Sequence, residues 1–251
     1  MYLQLKGGGS LAVIGGRAHI NGITFATNSH VVRGRLSHGN ISINVTRLPG
    51  IWIFNLMDRV PFLRGVSRLA KLNLKLFTGM FLFLAIPWDW VLPPNEIVVS
   101  ESVWSVLAIY GVVFIVLVIL LKRLWQFHGA EHKAFNIYTS GADISLSAVK
   151  EASRISERCG TNLVVILLPI VILLSLVAYQ LPLLILVVSI SIGYEIFNWS
   201  FCRYNRLNRT FLIAGFIQKH IVTAEPTEEQ MRVAIATLCK AIECEEKMVV
   251  V

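Results

Sequence analysis

Residues 102–121 read SVWSVLAIYGVVFIVLVILL, twenty positions without a charge. As an α-helix the run is about 30 Å long, the thickness of a bilayer's hydrocarbon layer. It stands in a chain of 251 residues that is 55% apolar and has a positive mean hydropathy. Soluble domains of this length are less greasy. Residues 159–194 are also uncharged. That run is too long for one span, and Tyr179-Gln180-Leu181-Pro182 breaks it near the middle, which predicts two helices, 161–179 and 183–200. A fourth candidate is 72–92, LNLKLFTGMFLFLAIPWDWVL, although it carries Lys75 and Asp89.

The cations decide how often the chain crosses. All 23 Lys and Arg fall within 1–75, 122–160 and 201–251, and none in 91–102 or at the 180–182 turn. Four spans put every cation on one side, which the positive-inside rule makes the cytoplasm. Trp88, Trp90 and Trp104 then fall at the outer boundary, and Trp125 and Trp199 at the inner one, as an aromatic belt does. The expected fold is a membrane α-helical bundle with four transmembrane helices (72–92, 102–121, 161–179 and 183–200) and both termini cytoplasmic. A basic β-rich cap (1–49), an interfacial helix (50–71), a cytoplasmic loop (122–160) and cytoplasmic interfacial and amphipathic helices (201–251) complete it. The first apolar span begins near residue 72, so no cleavable signal peptide is expected. Cys159, Cys202, Cys239 and Cys244 all lie on the inner side and are expected as reduced thiols.

Residues 11–48 read as strands. VVRGRL and ISINVTRL flank Ser37-His38-Gly39-Asn40, which is good hairpin chemistry. Gly15-Gly16 and Asn21-Gly22 mark further turns. Residues 1–57 contain no Asp or Glu but carry Lys6, Arg17, Arg33, Arg35 and Arg47. Such a cap attracts anionic headgroups at roughly 1 kcal/mol per cation near the surface. In 50–71 Pro61 suits a first helical position, and Arg59, Arg64, Arg68 and Lys71 can snorkel. Residues 206–220 could lie flat on a bilayer. Thr227-Glu228-Glu229-Gln230 is a capping box opening a helix through Val233, Ala234, Leu238, Ala241 and Ile242. No stacking-aromatic motif accompanies the basic cap, so nucleic acid is not an expected partner.

Past the deciding run comes FHGAEH, 127–132. His128 and His132 are four apart and share a helix face, close enough to grip one ion. His128-x-x-Glu131-His132 fits the inverted zinc-hydrolase pattern. Neutral imidazole suits Zn²⁺ or another divalent transition metal, and Glu131 is placed to deprotonate a bound water. A third ligand is needed. Glu195, ionisable inside a span, is one candidate, but it lies about 10 Å deeper than His128 by helical rise. Cys159 is closer in depth, and Glu151 and Glu157 are on the same side. The alternative is that His128, Glu131 and His132 only cap a helix and Glu195 pairs with Arg158 or Arg203.

FHGAEHKAFNIY, then RCGTNL (158–163), GYE (193–195) and TAEPTEEQMRVAIATL (223–238), resemble the YqhQ-like family of predicted bacterial inner-membrane proteins. GGRAHINGI and VPFLRGV (60–66) extend the resemblance over roughly 12–245. The resemblance implies a multispanning fold in the bacterial cytoplasmic membrane and a metal-dependent enzyme without a settled reaction. His128, Glu131, His132, Lys133, Arg158, Cys159, Gly160, Thr161, Tyr194 and Glu195 match family positions. Where the family commonly has an acid and a His, this chain has Asn21 and Ser156.

Three functions follow. The first is a metal centre at the inner boundary, with His128, His132 and Cys159 or Glu195 as ligands, Glu131 as base, and a lipid-derived or peptide substrate hydrolysed. The second is a non-enzymatic scaffold recruiting a partner or anionic lipid. The third is a conductor with Glu195 facing a lumen, which four short spans provide only in a homo-oligomer.

Overall fold

In the computed structural model, residues 13–48, 51–72, 74–86, 103–178, 181–204 and 208–249 are described. Strands β1 (Val13–His19), β2 (Gly22–Thr27), β3 (His30–Ser37) and β4 (Asn40–Arg47) form an antiparallel meander in the order β1-β2-β3-β4. Ser37 pairs with Asn40, and His38 and Gly39 between them both have positive φ, 48° and 77°. Two left-handed residues match the twist of the strands they join, so the hairpin read from Ser-His-Gly-Asn is present. Gly15-Gly16 is not a turn. It lies within β1, beside a register shift between Val13 and Gly15.

The remaining elements are α1 (Ile51–Met57), α2 (Leu63–Leu72), α3 (Leu74–Ala85), α4 (Val103–Leu120), α5 (Lys122–Ser140), α6 (Leu146–Glu151), α7 (Gly160–Ala178), α8 (Pro182–Tyr204), α9 (Asn208–Ile217) and α10 (Glu228–Val249), with one π-helical turn, Gln218–Val222. The inner face of the sheet presents Ile23, Phe25, Val32 and Leu36 to α5 and α10. From those helices come Phe127, Ala130 and Ala134, and Val233, Ala234, Leu238 and Ala241, all buried. The capping box forms as read: Thr227 N donates to Gln230 Oε1 at 2.8 Å, and Gln230 N to Thr227 Oγ1 at 3.4 Å.

A four-span bundle is not what forms. Among the described residues one helix, Gly160–Val177, is by itself long and apolar enough to cross a membrane. The run at 102–121 becomes α4, whose Gly111–Leu120 part is continued by α5 only across a bend of 67°. Nor is 122–160 a loop: α5 buries Phe127 through Phe135 save the partly exposed His128, so it belongs to the protein core and not to a lipid-facing continuation. In the 72–92 segment the helix α3 has 12 residues, about 18 Å of rise and short of the hydrocarbon thickness; residues 87–92 lie outside those described. The apolar stretch of α8, Leu183–Trp199, falls below the spanning length too. Hydropathy registers a missing charge and not what a helix packs against, and here α7 packs on α8, and α8 on α2.

The helix expected over 50–71 is two helices. Pro61 sits in the break, and Phe62 after it has φ 69°. The break lets Asp58 accept from Lys71 Nζ at 2.7 Å, with the Lys71 side chain fully buried.

Candidate metal centre

One face of α5 carries His128 and His132, whose ring centroids are 4.4 Å apart. Each ring is fixed from behind by a main-chain carbonyl. His128 Nδ1 is 2.7 Å from Val222 O at the end of the π turn, and His132 Nδ1 is 2.5 Å from Arg154 O. A carbonyl only accepts, so both Nδ1 atoms carry the proton and both Nε2 atoms keep a lone pair. This is the outer arrangement typical of metal-ligating histidines. His132 Nε2 is buried with no hydrogen-bond partner. His128 Nε2 lies 3.7 Å from Cys159 Sγ. The ligand atoms of His128, His132 and Cys159 all lie within 4.8 Å of one another. Zinc bonds of about 2.1 Å to nitrogen and about 2.3 Å to sulfur set tetrahedral edges of about 3.5 Å, so a closure of about 1 Å grips an ion.

Glu131 is the fourth group. Its Oε2 is 3.6 Å from His132 Nε2. Burial pushes its carboxyl up to about 8. Burial, with help from His128, drives His132 down to about 3, and burial also lowers His128. The carboxyl and the imidazole are therefore both neutral at pH 7, and their approach is not an ion pair. Burial likewise pushes the Cys159 thiol up to about 11, against the hydrogen bonds it shares with Thr161. A Cβ on Gly16 would lie 2.3 Å from Glu131 Oε1. Strand β1 thus walls the acid closely, and a side chain at position 16 would force the Glu131 side chain to shift.

These groups line one cavity of about 150 Å³. Arg68, Leu69, Ser156, Arg158, Tyr194 and Phe197 also stand on its wall. Outside it, Glu225 accepts from Lys133 Nζ at 2.8 Å and from Arg154 Nε at 3.0 Å. It thereby anchors the segment whose carbonyl orients His132.

Of the residues read from sequence, the structure brings His128, Glu131, His132 and Cys159 together, with Arg158, Gly160 and Tyr194 around the same cavity. Glu195 is not among them. It accepts from Arg64 Nε at 2.6 Å, from Arg64 Nη2, and from Phe62 N at 3.0 Å. It is tied to Arg64 of α2 and to Phe62, and it is not among the residues lining the cavity. Glu151 and Glu157 are also outside the group. Ser156 lies on the cavity wall, whereas Asn21 sits in the β1–β2 turn, its carbonyl accepting from Leu36 N at 2.8 Å. Glu195→Gln is expected to leave metal content unchanged and to cost about 1 kcal/mol of stability, since the pair it breaks is partly solvated. Metal analysis and urea denaturation of the same preparation check both halves.

Sequence reasoning missed Gly16, Arg68 and the two carbonyls. Main-chain carbonyls leave no mark in a sequence. Gly16 was legible only as a turn residue, and Arg68 only as a snorkelling cation.

A profile of the family described as "Protein of unknown function (DUF1385)" matches residues 63–244. The chain belongs to the DUF1385 family. The DUF1385 match holds His128, Glu131, His132, Cys159, Arg68 and Tyr194, and it begins after the sheet. The chain is similar to "Uncharacterized protein YqhQ" of Bacillus subtilis (strain 168), with 25% identity over 159 residues, 58% of this chain and 49% of that relative. The match spans about half the length of this curated relative. No solved structure matches.

Proposed function

We propose that the protein is a metal-dependent hydrolase. His128 Nε2, His132 Nε2 and Cys159 Sγ hold Zn²⁺ or another divalent transition metal. The observation that carries this is the buried, unpartnered His132 Nε2, aimed with a second imidazole and a thiol at one point. Two nitrogens and a sulfur suit zinc, and three protein ligands leave a fourth position open, as catalytic sites do. When bound, the ion supplies Lewis acidity. Glu131, beside His132 Nε2, is neutral at pH 7 while burial alone acts on it; a neighbouring cation favours its carboxylate, which would accept the proton of an attacking water and return it to the leaving group. Arg68 and Arg158, on the same cavity wall, hold an anionic group of the substrate. Leu69, Leu163 and Phe197 offer the apolar part of the wall, which favours a lipid-derived substrate. Exposed apolar side chains on α7, among them Leu168, Ile172, Leu173 and Leu176, bring that wall to a lipid surface.

The deciding experiment is elemental analysis of the purified chain after zinc loading and desalting. About one zinc per chain is expected for the wild type, and none for the His128→Ala/His132→Ala variant. Substoichiometric metal, equal in both proteins, ends the reading. The conductor reading loses its residue, because Glu195 is held by Arg64.

A further inference from the structure

The sheet has a second face, turned away from α5 and α10, and its chemistry differs from the core's. Arg17 pairs with Thr24, and Thr24 with Arg33, so the two arginines flank Thr24 on adjacent strands. Strands in a sheet lie about 4.8 Å apart, which lets two guanidiniums converge above the threonine between them. One step along the strands, His19 pairs with Gly22 and Gly22 with Arg35. Successive side chains alternate faces, so Arg17, His19, Thr24, Arg33 and Arg35 share this one. Gly22 leaves the centre of the second rung without a side chain.

Polar contacts within the group are short. His19 Nε2 is 2.7 Å from Thr24 Oγ1, and Arg17 Nη2 is 3.4 Å from both ring nitrogens of His19. Arg33 Nε is buried with no hydrogen-bond partner. Among the described residues no carboxylate forms a salt bridge with Arg17, Arg33 or Arg35. Residues 1–57 contain no Asp or Glu to offer one locally. Burial lowers Arg17 and Arg33, with Arg33 adding to the first and Arg35 to the second, and all three arginines add to the burial that takes His19 down to about 4. His19 is consequently an uncharged partner that orients Thr24 and Arg17, and the positive charge belongs to the guanidiniums. Arginines flanking Thr24 on one face, with an unused buried Nε–H, suit a tetrahedral oxyanion, which takes forked hydrogen bonds from arginine.

We propose that this face is an anion-binding site for a phosphate group, held by Arg17, Arg33 and Arg35 over Thr24. It is independent of the metal centre, which lies on the other side of β1. The same chemistry is presented by a free phosphate and by the headgroup of an anionic lipid.

The test uses the full chain and the Arg17→Gln/Arg33→Gln/Arg35→Gln variant, matched by circular dichroism and thermal melting. Inorganic phosphate is titrated calorimetrically. Phosphatidylcholine vesicles with and without phosphatidate are tested by cosedimentation. The wild type is expected to bind phosphate saturably, to prefer phosphatidate vesicles, or both, and the variant to bind roughly 100-fold more weakly. Phosphate binding without vesicle preference assigns a soluble ligand, and the reverse assigns a headgroup. Arg33→Lys keeps the charge but not the fork, and is expected to recover only part of the affinity. Should the wild type bind neither probe, or the triple variant bind as tightly as the wild type, the assignment is wrong. If the variant fails to fold, blocking wild-type arginines with phenylglyoxal decides: phosphate or phosphatidate vesicles must protect Arg17 and Arg33 from modification, and equal modification with and without either probe overturns the site.

Discussion

Removing either imidazole is expected to weaken zinc binding by more than about a hundredfold, the upper end of what loss of an outer-shell partner costs. His128 and His132 each bring one pre-aimed Nε2, so neither replaces the other. Cys159→Ser keeps the size and replaces a soft sulfur with a poor ligand, and a similar loss is expected. Competition against a chromogenic chelator reads all three. The same interaction appears as stability, because a ligand that binds only the folded chain stabilises it, by about 4 kcal/mol at a thousandfold excess over Kd. Zinc is expected to raise the melting temperature of the wild type and to leave that of His128→Ala/His132→Ala unmoved. An equal rise in both proteins would mean that the metal binds elsewhere. Binding is also expected to weaken as pH falls, since the ion displaces the proton of the Cys159 thiol, held up near 11 by burial.

The second large effect concerns a glycine between the ligands. In an ordinary helix interior, Gly→Ala stabilises by about 1 kcal/mol. At Gly129 the sign is expected to reverse. A Cβ there would lie 2.3 Å from the main-chain oxygen of Ala224, and a backbone cannot swing aside as a side chain does. The segment it would push away is tied down by Ala224 N on Trp125 O at 2.9 Å, by His128 Nδ1 on Val222 O at 2.7 Å and by Arg154 Nη1 on Thr223 O at 3.3 Å. Overpacking plus loss of these bonds gives a cost of about 3–5 kcal/mol, a large share of a domain's total stability. Gly111→Ala is the control. It too is helical, nothing lies within 4 Å of its Cβ position, and it is expected to be neutral or mildly stabilising. Urea denaturation of both variants measures the difference.

Legibility in the sequence followed the range of the interaction. The Ser37–Asn40 hairpin and the Thr227–Gln230 capping box are settled by residues within a few positions of each other, and both were readable. So was the shared face of His128 and His132, which depends only on helical spacing. Cys159 entered only as one of several candidates for a third ligand, by its depth in a four-span topology that does not form; the structure groups it with the two imidazoles. The architecture was misread because an uncharged run says nothing about its partner. Residues 102–121 and 72–92 have the composition of spans, but the first ends at a bend into α5 and the described helix in the second is too short to cross. Glu195 was misjudged for a related reason. Its role is set by Arg64, 131 positions away, and no local pattern records that encounter.

Gly16 and Glu131 share a single allotment of volume, since the methyl group denied to one is occupied by the carboxyl of the other. Shortening the acid to aspartate withdraws one methylene from the wall, about the bulk an alanine at position 16 adds. The two substitutions, each damaging alone, are therefore complementary in shape, and the pair behaves as one steric unit spread across a strand and a helix.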